Sequence, residues 1–365
     1  MNKSDLKNLR TYAGDLSGLY GIFDITHNDG YAKGSRSFLV KNGSGLELMI
    51  AADRCLDIPY ASYQGKNLGL VNKVGLRAPW FYQENGEIGF RRQFNGGLLT
   101  TCGIAYSGAP AVIDGRNYPL HGSISNTPAS KISYGEYQNE QGDIILFVQG
   151  ELREACQFGE YLVLNRKIEI ETENNRIWIH DQVRNLGTKD SRVMNLYHIN
   201  FGFPLLDENA RIFTSAKKVF PGGAYSYAEL ERHSYSEAPS NDAEELCFAH
   251  LGGTGIQTAM ISNEKLELGI AIEYNPTQLP VLCQWKSMRS GDYAMGLEPS
   301  VCGCWGVEKA EQMQWMRLLS PGECINFDLR LDILTNAEQI KSKKASCIEK
   351  NTKKNRFNNY WDQTI

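Results

Sequence analysis

The chain has 365 residues, 42% hydrophobic and 10% aromatic, an ordinary globular composition that allows one large domain or two smaller ones. A formal net charge of -4, with no basic stripe in the body of the chain, excludes nucleic acid or an anionic membrane as the main partner. No apolar run reaches the ~18 residues of a membrane span, and the first ten residues carry no apolar signal-peptide core. Nine cysteines without a C-x-x-C pair, the closest being Cys302 and Cys304, point to buried thiols in a reducing compartment rather than to disulfides or a zinc site. A cytoplasmic protein is expected.

Residues 1–35 read as an arm laid over the body. Phe38–Val40, a turn at Asn42–Gly45 and Leu46–Ala51 form a hairpin, and Tyr60–Leu68 is another strand pair turning at Gly65-Lys66. Asp53, Arg54 and Asp57 lie close enough together for a local ion pair. Residues 75–95 read as a loop rich in aromatics and charge, placed to roof a pocket, followed by the small-residue segment Asn95–Gly103. Strands follow at Tyr134–Tyr137, Ile144–Gly150, Leu162–Leu164, Arg166–Glu171 and Arg176–Val183, with Asn/Gly/Asp turns between them. Ile177 and Ile179 alternate with Trp178 and His180, so His180 is a structural residue on a strand face.

Residues 220–250 lack periodicity and read as a surface excursion, which leaves His233 and His250 without a role. Leu268–Tyr274 and Val281–Trp285 are strands, and Gln312–Leu319 and Cys324–Asp332 pair through a turn at Ser320–Glu323. Together these elements predict an all-β protein, a large antiparallel β-sandwich over residues 1–335 as one domain. Residues 336–365 form a tail with a short helix from Ala337 to Lys344 and a loose end.

Three segments carry chemistry. Asn195–Leu206 reads as a buried strand running into a Gly/Pro turn, with His198 and Asn200 set among apolar residues. Tyr118–Pro128 holds His121, and Gly296–Gly303 holds Glu298. His121 and Glu298 each sit beside Gly or Pro at a strand end. A lone histidine in such a strand is more often a satisfied core residue, but two imidazoles and one carboxylate together suit acid/base work on a sugar hydroxyl.

The set His121-Gly122, His198 with Asn200, and Leu297-Glu298-Pro299 resembles the aldose 1-epimerase (galactose mutarotase-like) superfamily. Asp53-Arg54-Cys55-Leu56-Asp57-Ile58, Gly97–Gly103, His121–Ala129 and Glu298-Pro299-Ser300 resemble its aldose-epimerase-like branch, across residues 10 to 335. The resemblance implies a β-supersandwich and an isomerase that interconverts sugar anomers. It also implies Glu298 as base, His198 as general acid and His121 as a second imidazole near the ring oxygen. Arg54, Arg92 and Asp207 stand by local context for the family's substrate-binding arginine and mid-chain aspartate. The Tyr-Pro-Leu-His-Gly-Ser lead-in departs from the mutarotase pattern and leaves the sugar's identity open.

Ring opening takes a proton from one oxygen and delivers it to another, which needs two groups of opposite protonation state at one sugar edge. A carboxyl near ~4.3 and an imidazole near ~6.5 are already set apart in water. The reaction requires no metal or organic cofactor, and the expected partner is a small-molecule sugar. Trp80, Phe81, Tyr82, Phe94 and Trp285 are candidate stacking faces. Arg54, Arg92, Asn95, Asn200, Gln284 and Lys286 are candidate hydrogen-bonding groups, and their cations hint at an acidic or phosphorylated sugar. Two rival readings are a metal site formed by His121, His198 and Glu298, and a sugar-binding or regulatory module without turnover. The oligomeric state stays open, a homodimer included.

Overall fold

Along Arg176–Asn185, Ile177, Ile179, Asp181 and Val183 are buried while Trp178, His180 and Gln182 are half-buried on the other face. That period-two pattern is what a strand packed on one side requires, and it recurs through the chain. The structure, a computed structural model, describes residues 3–222 and 227–350. Two large antiparallel sheets carry the molecule. The first has eleven strands, in the spatial order Gly21–Thr26, Arg36–Lys41, Leu46–Ala51, Asp57–Tyr63, Leu99–Cys102, Leu196–Phe201, Asp292–Ser300, Val281–Arg289, Glu245–Leu251 and Lys218–Pro221, with Lys66–Asn67 off this path. The second has eight, in the order Ser130–Gln138, Ile144–Ala155, Tyr161–Glu171, Arg176–Asn185, Cys324–Leu334, Leu268–Tyr274, Gln257–Asn263 and Arg211–Thr214.

The two sheets pack face to face over one core. Phe38, Leu48, Ile58, Tyr197, Ile199 and Leu297 of the first sheet meet Leu146, Ile168, Ile179 and Leu329 of the second in a single buried cluster. This is the large antiparallel sandwich that the alternation predicts. Between the sheets lies one polar network. Arg166 donates from Nε and Nη2 to Asp181 at 2.9 and 2.7 Å, and from Nη1 to Thr101 Oγ1 at 2.6 Å and the Cys55 carbonyl at 2.9 Å. Tyr197 donates to Asp181 at 2.7 Å, and Asp57 accepts from Thr101.

The acids and arginine near position 55 therefore do not pair with one another. Asp53 accepts from the Arg36 amide, while Asp57 faces Arg166 at 3.3 Å. Arg54 donates to the carbonyls of Ser125, Arg77 and Gln93.

Several expected elements differ. Gly21–Thr26, within the expected arm, is the edge strand beside Arg36–Lys41. The expected loop at 75–95 contains a short 3-10 turn, Pro79–Phe81, and the α-helix Gly86–Gln93. Residues 220–250 include the strand Glu245–Leu251, which pairs along its whole length with Val281–Arg289. The expected strand Gln312–Leu319 shrinks to Arg317–Leu319, preceded by the helix Val307–Gln312, and it pairs with Ser191–Val193 rather than with Cys324–Leu334. The last helix runs Ala337–Lys350 and packs Ile340 and Cys347 against Met260, Ala271 and Leu334. The loose end expected beyond it lies outside the described residues. Among the described residues, no helix is long and apolar enough to cross a membrane.

Candidate functional site

Strand parity decides what reaches the outer face of the eleven-stranded sheet. Along Leu196–Phe201, Tyr197, Ile199 and Phe201 enter the inter-sheet core, so Leu196, His198 and Asn200 face the other way. The neighbouring strand Asp292–Ser300 does the same, with Met295 and Leu297 inward and Ala294, Gly296 and Glu298 outward. On Val281–Arg289, Leu282 and Met288 point inward while Cys283, Trp285, Ser287 and Arg289 face out. These three central strands thus bring His198, Glu298 and Trp285 to a pocket of about 450 Å³, with Ser287, Arg289 and Asp292 farther along it.

The remaining walls come from loops. The helix Gly86–Gln93 and its C-cap present Phe90 and Phe94, one helical turn apart and stacked at 5.1 Å. His121 arrives on a turn held against residues 103–108. Its amide donates to the Gly108 carbonyl at 2.8 Å, and its own carbonyl accepts from Gly103 at 3.0 Å. Gly122, at φ +71°, is required there, because a Cβ would lie 2.5 Å from the carbonyl oxygens of Gly103 and Tyr106.

The structure brings Glu298, His198 and His121 together. Glu298 Oε1 lies 3.2 Å from His198 Nδ1, and the two imidazole rings meet edge to face at 5.8 Å. Phe94 and Trp285 flank His198 at 5.1 and 5.6 Å, and Phe90 lies 5.2 Å from His121. Asn200 Nδ2 donates to the His198 carbonyl at 2.8 Å, and its Oδ1 faces His198 Nδ1 at 2.5 Å. Glu298 Oε1 is buried without a hydrogen-bond partner. His121 Nδ1 likewise has no partner.

Burial without partners disfavours charge. It pushes His198 down to about 3, with His121 adding to the shift and Asn200 opposing it. Burial alone pushes His121 down to about 4. Glu298 is raised well above the usual carboxylate range by burial, and further by the Cys304 thiol. Burial thus favours the protonated carboxyl at Glu298 and the uncharged ring at both imidazoles. At the mouth, Lys73 pairs with Asp292 at 2.8 Å, and Arg91 pairs with Glu87 at 2.7 Å and Glu245 at 3.5 Å. Among the described residues, no group of three or more His, Cys, Asp or Glu side chains is arranged to hold a metal ion.

Of the other expected site residues, Phe94 and Trp285 line the pocket. Asn200 lies behind His198. Arg54 is buried against backbone carbonyls, and Arg92 is exposed outside the pocket while its neighbour Arg91 lines it. Asn95 is buried without lining the pocket, and Asp207 accepts from Asn263 and Asn209 in a distant turn. Gln284 and Lys286 fall on the inward parity of their strand. Gln284 accepts from His250 Nε2 at 2.8 Å, and Lys286 donates to the carbonyls of Arg232 and Tyr235 at 2.9 and 2.8 Å. Trp80 and Phe81 cluster with Tyr31 elsewhere, so Phe94 and Trp285 are the stacking candidates that reach the pocket. Sequence reasoning missed Cys247, Cys304, Glu245, Arg289 and Asp292. Only the outward parity of the strands carrying Cys247 and Arg289 would have flagged any of them.

A family model described as a domain of unknown function, DUF4432, matches residues 32–333. No curated protein matches the sequence. A provisionally assigned aldose 1-epimerase from Klebsiella pneumoniae is 23% identical, with a TM-score of 0.86 over 98% of this chain and 92% of that one. A galactose mutarotase-like protein from Clostridium acetobutylicum is 13% identical, with a TM-score of 0.57 over 87% of this chain and 99% of that one. A galactose 1-epimerase from Lactobacillus acidophilus is 12% identical, with a TM-score of 0.56 over the same shares, 87% and 99%. The shared fold is the galactose mutarotase-like sandwich.

Proposed function

We infer, for a chain that belongs to the DUF4432 family and carries this pocket, an isomerase that interconverts the anomers of an uncharged aldose by acid/base ring opening. The observation that carries the reading is the Glu298–His198 pair, 3.2 Å apart and buried in a pocket of about 450 Å³. His121 and two aromatic walls stand beside it.

Opening a cyclic hemiacetal removes the proton of the anomeric hydroxyl, breaks the bond from C1 to the ring oxygen and protonates that oxygen. Glu298 as carboxylate takes the anomeric proton, and His198 as imidazolium delivers one from Nε2 to the ring oxygen. C1 becomes an aldehyde, the C1–C2 bond rotates, and reclosure on the other face reverses both transfers. The open-chain stage leaves Glu298 protonated and His198 neutral. Burial favours that protonation state at both groups, so dry walls stabilise the intermediate. Both states hold the same number of protons, and a bound sugar only relocates one. Positioned proton transfer of this kind contributes about 10²–10⁴-fold, enough for a reaction that also proceeds in water.

The uncharged substrate follows from the rim. Lys73, Arg91 and Arg289 line it against Glu87, Glu245 and Asp292, three cations to three carboxylates. Arg54 and Lys286, whose charges hint at an anionic sugar in the sequence, point elsewhere.

Polarimetry with a panel of aldoses tests the reading. The wild-type protein is expected to accelerate mutarotation of at least one hexose, and to act more weakly on that sugar's 6-phosphate. Glu298→Gln and His198→Asn should each lower the rate by ~10²-fold or more. Equal rates for wild type and both variants would reject the assignment, and tight sugar binding without acceleration would mark a binding module instead.

A further inference from the structure

A neutral imidazole has one N–H and one lone pair, and the hydrogen bond made by one nitrogen decides which nitrogen carries the proton. His198 Nδ1 faces an amide oxygen, and the orientation of that amide is itself fixed. The backbone carbonyl of His198 can only accept, so the amide group 2.8 Å away is the Nδ2 end of Asn200. Asn200 Oδ1 is then the atom 2.5 Å from Nδ1, and since it too can only accept, Nδ1 must carry the hydrogen. His198 and Asn200 are both buried, so no solvent competes for these bonds.

We propose that Asn200 is a positioning residue that locks His198 as the Nδ1–H tautomer and leaves Nε2 to exchange protons with the substrate. Strand geometry supplies the lock, because residues two apart share a face, and Asn200 pairs across the sheet with Gly296. The same bond has a second consequence. Glu298 Oε1 lies 3.2 Å from Nδ1, near enough to capture its hydrogen. With that hydrogen committed to Asn200, the carboxyl and the imidazole do not close into a mutual pair, and both keep bonding capacity for a ligand. Without an acceptor at position 200 the hydrogen is no longer held on Nδ1, and Nδ1 is free to accept from the Glu298 carboxyl 3.2 Å away, which would tie up the two reacting groups. Asn200 is thus set behind the imidazole and does not bind the sugar.

The kinetic consequence rests on the acid/base reading above, whereas the tautomer does not. The test is nitrogen-15 NMR of histidine-labelled protein, read alongside steady-state kinetics on the best aldose. In the wild type at neutral pH, His198 should show the Nδ1–H tautomer. In Asn200→Ala it should shift toward a mixture or Nε2–H, with kcat falling about 10²-fold and KM changing little. Asn200→Asp keeps the volume and the acceptor, so it covers the case in which the alanine variant does not fold. It should retain Nδ1–H, raise the pH at which His198 titrates and shift the rate profile with it.

A wild-type His198 in the Nε2–H form would overturn the proposal, as would a tautomer unmoved in Asn200→Ala. So would an Asn200→Asp titration coinciding with wild type. If the tautomer behaves as expected but no aldose turns over, the positioning role stands and the isomerase reading fails. If turnover is present and the tautomer ignores position 200, the reverse holds.

Discussion

Gly296 leaves open the space that the Glu298 carboxyl fills. A Cβ built there would lie 2.3 Å from Glu298 Oε1, so any side chain displaces that oxygen from its position beside His198. Gly296→Ala is therefore expected to lower turnover by ~10-fold or more, toward the lower part of what positioned proton transfer supplies. The melting temperature should stay near wild type, because only a carboxyl terminus has to move. Kinetics and a melting curve on the one variant check both halves. Glu298 and His121 were legible as titratable groups beside Pro or Gly, and His198 as an imidazole set in an apolar strand. Asn200 was legible as polar in an apolar run, but its partner was not, since only coordinates place Oδ1 on Nδ1. Gln284 and Lys286 were misassigned for a plain reason. Seven of the nine residues of Val281–Arg289, all but Trp285 and Arg289, are buried, so both faces of the strand are covered and no polar-apolar alternation is left to read.

The strands Tyr161–Glu171 and Asp57–Tyr63 belong to opposite sheets and are tied by Arg166 through Asp57, Thr101 and the Cys55 carbonyl. Arg166 is fully buried, so removing it leaves Asp181 and Asp57 without their cation in the core. Arg166→Met is expected to cost about 3–5 kcal/mol, the range for breaking a buried ion pair, while adding Asp181→Leu should recover part of that loss. Urea unfolding of the single and double variants measures it, and equal loss in both would show that the network is not the tie. The strands themselves were legible from period two and turn chemistry. The helix Gly86–Gln93 was not, since eight residues with two glycines span barely two turns and give little periodicity. The strand Glu245–Leu251 was hidden because its inward Leu246, Phe248 and His250 follow a stretch without alternation.

Across the whole molecule, the buried acid and imidazoles tie stability to pH. His121 and His198 titrate lower folded than unfolded, so as pH falls below ~6.5 the unfolded chain takes protons that the folded chain refuses, and stability declines. Glu298 is raised, so its contribution is fully present below the unfolded carboxyl value near ~4.3 and is lost as pH rises toward its folded value. Glu298→Gln removes that second loss. The variant should melt above wild type at neutral pH, by a margin that grows with pH and vanishes near pH ~4, although it is inactive. A pH series of melting temperatures for the two proteins reads the sign directly. In water these residues carry ordinary values, and the lowered imidazoles follow only from the burial that the structure gives them.

The proposed reaction is the opening and reclosure of a sugar ring in a dry pocket. Saturation transfer between the α and β anomeric protons of an equilibrium aldose, with the wild-type protein present in catalytic amount, measures that event without any coupled reaction. The predicted result is exchange that rises in proportion to protein concentration and returns to the buffer rate in Glu298→Gln. Exchange at the buffer rate with the wild-type protein, for every aldose that NMR shows bound in the pocket, would contradict it.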